Sequence, residues 1–483
     1  MTDVSILETS RRNRRCGLTL LTALVGLVLC ACAEAPQGQS TTALVGGYLI
    51  DGTGAAPVRN AVVLIQGERI VAAGPAADVD VPPDATVHYL SGHTVLPGLV
   101  EGNGHVVFNG QIDHARFFAT RHTDYYQIGA RNLYVDLLLG ITSMRDTHGP
   151  VPEMFQLQRD ERDGVIPGSR LFTAGAILNY PSLLDIPTER ALSGADVAAA
   201  RGKLDFYFED AERGKEIIQT FAARGADFIK ISLSGNSPGE PRPVAMSEEL
   251  LRELVEEAHL HGLKTTSHTM NVPHLRRAVE AGFDALEHPE FTLEAGRGVP
   301  IPDDLIQQIV DDGIYCIPLM IAMEIYIIHL QTPEMLQHPG YLRDLPADLV
   351  EEAREWVRTE SEIPGALQAR IDRYEAVKEN LRRLIAAGAK IAMGTDKGTR
   401  LNFHQHANHV RELQTYVELG MTPIEAIESA TRIGAELLGV ETELGTVEAG
   451  KLADLLVVSG NPAAYITDIG NVHMVFKGGR RWR

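Results

Sequence analysis

Side chains that bind metal ions or move protons stand in or directly after separate predicted strands: His105, Lys230, His268, His288 and Asp396. Histidine and carboxylate groups are the ligands that zinc and similar divalent ions take in proteins. Each residue alone is weak evidence, because a single histidine after a strand is commonly structural. As a set they predict a metal centre, since each belongs to a different predicted strand.

Asn103 precedes His105 by two positions in the stretch 96–105, LPGLVEGNGH. Alternate residues of a strand point to the same side, so the two side chains face one point. An asparagine oxygen is neutral and binds zinc more weakly than imidazole does. Asn103 is therefore the weakest candidate ligand of the set.

Lys230 lies inside the apolar segment 228–232, FIKIS. A buried ammonium group is costly and tends to lose its proton. The neutral amine can then add carbon dioxide to become a carbamate, an anionic ligand able to bridge two metal ions. The alternative is a lysine that faces outward from an edge strand.

Strands and helices alternate over residues 99–439, and this region contains about eight strand–helix units. Such alternation predicts the α/β class and a parallel sheet. Eight units favour a closed (β/α)8 TIM barrel, in which residues after the strands converge on one end. A doubly wound open sheet is the alternative, but no Gly-rich phosphate turn follows a strand. A long helical insertion at 333–387 is expected to cover the converging strand ends.

Short strands separated by turn signals occupy both ends of the mature chain, at 43–98 and 440–483. The pattern predicts an antiparallel sheet in the first segment. We expect the two segments to form one small β-sandwich domain beside the barrel. The alternative is a free-standing β domain made from the first segment alone.

The first 31 residues have the features of a targeting signal. A basic region at 11–15 precedes an apolar run at 18–29 that is short for a membrane span, and Cys32 stands in a bacterial lipobox-like context. The sequence therefore predicts a signal peptide at 1–31, lipidation of Cys32, a tether at 32–42 and a lipid-anchored, periplasm-facing location in the bacterial cell envelope. The alternative is an ordinary secretory signal cleaved nearby.

The overall charge and the cysteine content exclude other classes. The 483 residues carry a formal net charge of -20, which argues against nucleic acid as the main partner. Cys316 is the single cysteine after Cys32, so the body has no disulfide framework.

Motifs along most of the mature chain resemble the amidohydrolase superfamily, in the branch near imidazolonepropionase and metal-dependent prolidase-like dipeptidases. They are LPGLV at 96–100, GITSMRD at 140–146, GADFIKI at 225–231, AGFDALEH at 281–288, GTD at 394–396 and GTVEAGKLAD at 445–454. The set is specific for the superfamily and much less specific for any substrate.

The resemblance implies one or two divalent metal ions, most simply Zn²⁺, at the strand ends. By position, His105 matches a ligand of the first ion, Lys230 the bridging carbamate, and His268 and His288 ligands of the second. Asp396 matches the residue that contacts a metal and handles the proton. Asn103 stands where these relatives usually have histidine, and three outcomes are open: a looser first site, a one-metal enzyme, or an inactive site.

Three further groups of polar residues are placed in or near such a site. Tyr180 and His148 are candidates to stabilise an oxyanion. His404, His406 and His409 are interpreted as lining the site or facing solvent, with a third metal site as the alternative. Arg145 and Asp146 are expected to form a structural pair beneath the ligands.

Amide hydrolysis in a small molecule, such as a dipeptide or an N-acyl amino acid, is the leading prediction. Water acidified by a metal ion would attack the carbonyl, with Asp396 as general base. One alternative is opening of a cyclic amide or lactone, as in imidazolonepropionase. Another is a non-catalytic surface lipoprotein that binds a ligand at a degenerate site.

Overall fold

The computed structural model describes residues 40–112, 124–179, 203, 206–233 and 246–483. The predicted signal peptide with Cys32, most of the tether, and Tyr180 lie outside the described residues. Within those ranges, no helix combines the length and the apolar character needed to cross a membrane. Ser40–Arg483 forms one unit by its backbone contacts.

Both ends of the chain contribute strands to one eight-stranded sheet. The strands are β1 Thr41–Leu49, β2 Val58–Gln66, β3 Arg69–Pro75, β4 Thr86–Tyr89, β5 His93–Pro97, β18 Leu455–Ser459, β19 Val472–Lys477 and β20 Arg480–Arg481. Their order is β20-β19-β18-β5-β1-β2-β3, with β4 also beside β1. The sequence prediction of a shared terminal sheet therefore describes the strand pairing well.

The prediction that the first segment forms an antiparallel sheet is wrong for two strands. β4 and β5 both run parallel to β1, whereas β2 pairs with β1 in the antiparallel sense. The link between the chain ends is the antiparallel pairing of β5 with β18. Alternating apolar character fixes the buried face of a strand, but it carries no information about the direction of its neighbour.

In the described part of the central region the strands pair in the parallel sense, apart from the short hairpin β14 Leu293–Glu294 and β15 Arg297–Gly298. One sheet contains β6 Leu99–Gly104, β7 Ile141–Asp146 and β8 Arg170–Thr173. The other has the order β10-β9-β11-β12-β13-β16-β17. Its strands are β9 Leu178–Asn179, β10 Phe206–Tyr207, β11 Phe228–Ser232, β12 Lys264–His268, β13 Ala285–Glu287, β16 Tyr315–Ile317 and β17 Lys390–Ile391. The protein therefore has the predicted α/β class.

Backbone hydrogen bonds connect β6 to the segment that follows β17. Gly102 N donates to Met393 O at 2.8 Å, and Asp396 N donates to Asn103 O at 2.9 Å. A parallel bridge joins Gly104 to Lys397. The first and last parallel strands of the central region are thus neighbours.

Helices connect most of these strands. They are Tyr125–Leu138, Glu153–Arg162, Ala211–Arg224, Glu248–Leu260, Val272–Glu280, Asp303–Asp311, Met320–Gln331, Ala347–Ser361, Ala366–Ala386, Asn408–Glu418, Pro423–Ser429 and Arg432–Leu438, with 3-10 turns at Pro333–Gln337 and Ile466–Gly470. Polar caps start several of them, since Asp210, Ser247 and Thr422 each accept a backbone N–H of the first turn. Sequence analysis missed the helix Met320–Gln331, because its residues are apolar on almost every side and show no helical period.

Gly98 marks the passage from the terminal sheet into the parallel region. Its N–H donates to Asp454 O at 2.8 Å, so the two chain ends meet there. A Cβ at this position would lie 2.2 Å from Thr142 Oγ1, which leaves room only for glycine. The turn at 97–98 is therefore set by a close packing contact with β7.

Candidate active site

The five predicted chemical residues line one cavity of about 400 Å³. We call His105, Lys230, His268, His288 and Asp396 the ligand cluster. Asn103 and His148 line the same cavity. Five different strands or the turns that follow them supply the ligand cluster, as expected when the ends of parallel strands meet.

His105 and Asp396 form the first contact pair of the ligand cluster. His105 Nδ1 donates to His148 O at 3.1 Å, and Nε2 lies 3.0 Å from Asp396 Oδ1. Burial opposes ionisation of both groups, but their mutual hydrogen bond raises the pKa of His105 and lowers the pKa of Asp396 to about 2. A histidine whose Nδ1 is held by a backbone carbonyl has the orientation common among metal-binding histidines.

His268 and His288 form the second contact pair. His268 Nδ1 and His288 Nε2 lie 2.8 Å apart and share a hydrogen bond. Burial lowers the pKa of His288 to about 4, with a further contribution from Lys230, so the ring is neutral at pH 7. Its Nδ1 is buried without a hydrogen-bond partner among the described residues. A neutral imidazole nitrogen is the form that binds a metal ion.

Two members of the ligand cluster have left-handed backbone conformations that non-glycine residues rarely adopt. The φ angle is 38° at His288 and 57° at Asp396. Such residues cost free energy and gather at functional sites, where the surrounding structure holds them in place. The backbone thus aims these two side chains in directions that ordinary strand geometry would not provide.

Lys230 is buried beside a carboxylate that sequence analysis missed. Its Nζ lies 3.7 Å from Glu287 Oε1, and burial lowers the pKa of Lys230 to about 8. Glu287 Oε1 also accepts from Arg145 at 2.7 Å and from Thr266 at 2.8 Å. The sequence signal that could have identified Glu287 was its position in a buried strand, just before His288. The expected pair of Arg145 with Asp146 is wrong, because Arg145 binds Glu287.

Both polar atoms of the Asn103 side chain are engaged by protein groups. Nδ2 donates to Glu287 Oε2 at 2.7 Å, and Oδ1 accepts from Thr147 Oγ1 at 2.7 Å. Asn103 therefore links β6 to β13 in the same hydrogen-bond network that surrounds Lys230. As the structure stands, both polar atoms of Asn103 serve this network, and neither is left over for another partner.

No three of the described His, Cys, Asp and Glu side chains are close enough together to hold a metal ion as they stand. The two contact pairs instead satisfy each other across hydrogen bonds. Their donors are nevertheless those of a zinc site, and the buried His288 Nδ1 lacks a hydrogen-bond partner within the described ranges. These residues fit a divalent ion by chemistry and by placement in one cavity.

His148 is positioned to donate a hydrogen bond. The backbone N–H of Ile177 donates to His148 Nδ1 at 3.1 Å, so the ring proton of the neutral tautomer resides on Nε2. The side chain lines the cavity. In this tautomer His148 carries the Nε2 proton that the predicted oxyanion donor would need.

His404 and His409 neither line the cavity formed by the described residues nor face solvent, contrary to the interpretation from sequence. His404 Nδ1 lies 2.7 Å from Asp136 Oδ2, whose other oxygen is 2.9 Å from Lys397 Nζ. His406 is partly buried, and its Nε2 donates to Tyr341 O at 2.8 Å. His404 packs behind His105, since His404 Nε2 also lies 3.2 Å from His105 O.

Another side of the cavity is formed by residues we call the arginine wall: Tyr326, Trp356, Arg370, Arg373 and Arg400. Arg370 lies over the rings of Tyr326 and Trp356, with its Cζ 4.9 Å and 5.2 Å from their centroids. The helical insertion supplies Trp356, Arg370 and Arg373. The insertion was expected to lie over the strand ends, and the three side chains that it places in the cavity agree with that expectation.

Known proteins resemble this chain over most of its length. The sequence profile of the amidohydrolase family matches residues 94–481. Ochratoxinase of Aspergillus niger is 26% identical over 466 residues, which cover 92% of this chain and 86% of the relative. Imidazolonepropionase of Micrococcus luteus is 24% identical over 443 residues, which cover 87% of this chain and 94% of the relative. Among solved structures, a Xaa-Pro dipeptidase with bound methionine has a TM-score of 0.70 at 24% identity, covering 92% of this chain and all of the other.

Proposed function

This chain belongs to the amidohydrolase family, and from that membership we propose that it hydrolyses the C–N bond of a small-molecule amide with the help of a divalent metal ion. The substrate class we favour is a dipeptide or an N-acyl amino acid. The observation that carries the proposal is the convergence of His105–Asp396 and His268–His288 on one cavity.

His105, His268, His288 and Asp396 would hold the ion, which we take to be Zn²⁺. The engagement of Asn103 by Thr147 and Glu287 favours one ion over two. When bound, the ion would acidify water and polarise the carbonyl. Lys230 is the candidate for a carbamate, formed as its neutral amine adds CO₂ and releases a proton. Arg145 beside Glu287 would offset the added negative charge.

Asp396 performs the proton transfers in the proposed reaction. Its carboxylate accepts a proton from the attacking water and returns that proton to the departing amine nitrogen as the C–N bond breaks. His148 Nε2–H donates to the carbonyl oxygen while negative charge develops there. The products are a carboxylic acid and an amine, so one water is consumed for each amide cleaved.

We further propose that the parallel strands close into a (β/α)8 barrel and that the terminal strands form a β-sandwich. The contacts of β6 with the segment after β17 support closure. Domain limits of 99–439 for the barrel and of 43–98 with 440–483 for the sandwich remain those predicted from sequence. Hydrogen-exchange protection of the described parallel strands as one cooperative unit tests closure.

The envelope location is a separate proposal that rests on the leader sequence alone. We propose that Cys32 carries the lipid anchor and that the protein faces the periplasm. Labelling cells with an alkyne-palmitate should mark the wild-type chain and not a Cys32→Ala variant. Label retained in that variant would remove the proposal without affecting the enzyme assignment.

Metal analysis combined with a substrate panel tests the enzymatic proposal. We expect about one zinc ion per purified full-length chain and hydrolysis of at least one dipeptide or N-acyl amino acid, lost on chelation and restored by zinc. The panel includes cyclic amides and lactones, since a relative is an imidazolonepropionase. A metal-free protein that binds panel compounds and hydrolyses none would favour the ligand-binding alternative.

A further inference from the structure

Three buried polar residues behind the ligand cluster are not used by the proposed reaction. We call Asp136, Lys397 and His404 the inner triad; all three are buried, and none of them lines the cavity formed by the described residues. Asp136 stands between the other two, with its Oδ1 2.9 Å from Lys397 Nζ and its Oδ2 2.7 Å from His404 Nδ1. Charged groups in a protein interior are costly unless they are paired, so the triad must form or fail as a unit.

The charges of the inner triad depend on one another. Burial opposes ionisation of Asp136, but Lys397 and His404 outweigh it and hold the pKa of that carboxyl below its usual value. Replacing a complete buried ion pair by apolar side chains of similar volume is often neutral for stability. Stability alone is therefore a weak reason for three such groups to lie directly behind the ligand cluster.

The inner triad holds the backbone of His105 from two sides. The His105 N–H donates to Lys397 O at 2.8 Å, and the His105 carbonyl oxygen lies 3.2 Å from His404 Nε2. An ionised carboxylate and a carbonyl oxygen only accept hydrogen bonds, so the His404 ring donates toward Asp136 on one side and toward His105 on the other. Both backbone polar groups of His105 thus face residues of the inner triad.

The triad also fixes the segment that carries Asp396. Lys397 is the next residue in the chain, and its ion pair with Asp136 ties this segment to the helix Tyr125–Leu138. The packing leaves no slack, because a Cβ at Gly398 would lie 2.3 Å from His105 O. His105 Nε2 and Asp396 Oδ1, which are 3.0 Å apart, are therefore held from behind by one set of contacts.

We propose that Asp136, Lys397 and His404 are positioning residues that set His105 relative to Asp396, and that they thereby determine the metal affinity of the site and the rate of bond cleavage. This inference rests on the proposed metal-dependent hydrolysis. Removing a group that orients a metal-binding side chain commonly costs about ten- to hundredfold in metal affinity or activity. Because the triad does not line the cavity, KM for the substrate should change little while kcat falls.

Zinc affinity tests the inference on the purified full-length protein, by competition with a chromophoric chelator. Asp136→Asn removes the charge between Lys397 and His404. We expect it to weaken zinc binding by about ten- to hundredfold, with a similar fall in kcat at nearly unchanged KM. Its melting temperature should fall as well, because two buried cationic partners lose their carboxylate.

Two further variants separate positioning from stability. The triple variant Asp136→Leu, Lys397→Met and His404→Leu leaves no member of the triad unpaired, so it should regain most of the wild-type melting temperature but not the zinc affinity. Arg170→Met is the matched control, since it removes the cation paired with the buried Asp454 carboxylate in the terminal sheet. It should lower the melting temperature and leave zinc affinity and kcat unchanged.

The outcomes distinguish this inference from the proposed function. Wild-type zinc affinity in Asp136→Asn or in the triple variant, or an equal loss of affinity in Arg170→Met, overturns the inference and leaves the proposed hydrolysis intact. If the triad variants weaken zinc binding but the wild type hydrolyses no panel amide, the proposed function fails and the positioning role stands. A wild type that binds no zinc overturns both.

A conservative pair of variants replaces the triple variant if circular dichroism shows that one to be unfolded. His404→Gln keeps a side-chain donor that can reach His105 O, whereas His404→Leu has none. His404→Gln should therefore retain more zinc affinity than His404→Leu. Equal zinc affinity in the two variants would overturn the inference.

Discussion

The ligand cluster and the arginine wall line the same cavity but are built in different ways. The ligand cluster stands on or directly after parallel strands, and backbone hydrogen bonds such as Asp396 N to Asn103 O fix its members. The arginine wall depends on side-chain stacking among Tyr326, Trp356 and Arg370, on helices that connect or interrupt the strands. The difference is that strand backbone fixes the ligand cluster, whereas side-chain packing on helices fixes the arginine wall, so we expect that each region can be altered without the other.

The largest expected effect comes from changing the proton carrier in the ligand cluster. Asp396→Asn should lower kcat by about 10²- to 10⁴-fold for every substrate, because the amide cannot accept a proton from water. Trp356→Ala in the arginine wall should instead raise KM, and more for bulky apolar substrates. Steady-state kinetics on a bulky and a small substrate compare the two. A uniform fall in kcat for Trp356→Ala would break the division between the regions.

Removing the buried partner of Glu287 tests the support beneath the ligand cluster. Arg145→Met should lower the free energy of unfolding by about 3–5 kcal/mol, since it leaves a buried carboxylate with fewer donors. The matched control is Arg382→Met, an exposed pair that should cost under about 1 kcal/mol. Urea unfolding measures both. Equal free energies of unfolding for the two variants would show that other groups stabilise the Glu287 carboxylate when Arg145 is removed.

We expect acid to destabilise the helical insertion where His406 contacts it, at Tyr341. Burial lowers the pKa of His406 to about 4, and Lys397 and His329 add to this, while its Nε2 donates to Tyr341 O. A folded-state pKa below the unfolded value of 6.5 gives stability that is present above pH 6.5 and is lost as the pH falls toward 4. The loss from pH 6.5 to 5 is about 2 kcal/mol.

Hydrogen exchange followed by mass spectrometry at pH 7 and pH 5, corrected for intrinsic rates, measures this effect. Peptides from 333–387 should lose protection at pH 5 more than peptides from β1 and β2, which contain no histidine. His406→Gln, which cannot titrate, should remove the difference. Equal loss of protection in both regions would mean that the two regions open together.

The smallest effect concerns the link between Asn103 and β7. Thr147→Val removes the hydroxyl that donates to Asn103 Oδ1, at a cost of about 1 kcal/mol in the free energy of unfolding. Zinc content should stay the same, because Asn103 is not a ligand in our proposal. A change in zinc stoichiometry in this variant would return Asn103 to the ligand set.

Sequence analysis located the residues that local pattern controls. His268 ends β12 and His288 follows β13, and both strands could be located because a glycine stop, Gly262 or Gly282, ends the helix before each strand; the α/β class followed from the same alternation. Contacts between distant segments were not visible. The sequence around Glu287 does not indicate its ion pair with Arg145. The sequence around Trp356 likewise does not indicate its contacts with Arg370 and Tyr326. The parallel direction of β4 was missed for the same reason, since strand pairing is decided by neighbours far along the chain.

The pairing of β5 with β18 has a consequence for the chain as it is made. β5 is synthesised before the whole parallel region, whereas its partner β18 emerges after that region. Until then one edge of β5 lacks its strand partner, and contacts of such sequence separation form slowly. A chain truncated before Leu455 keeps this open edge permanently. The sheet can therefore close only after the entire parallel region has been synthesised.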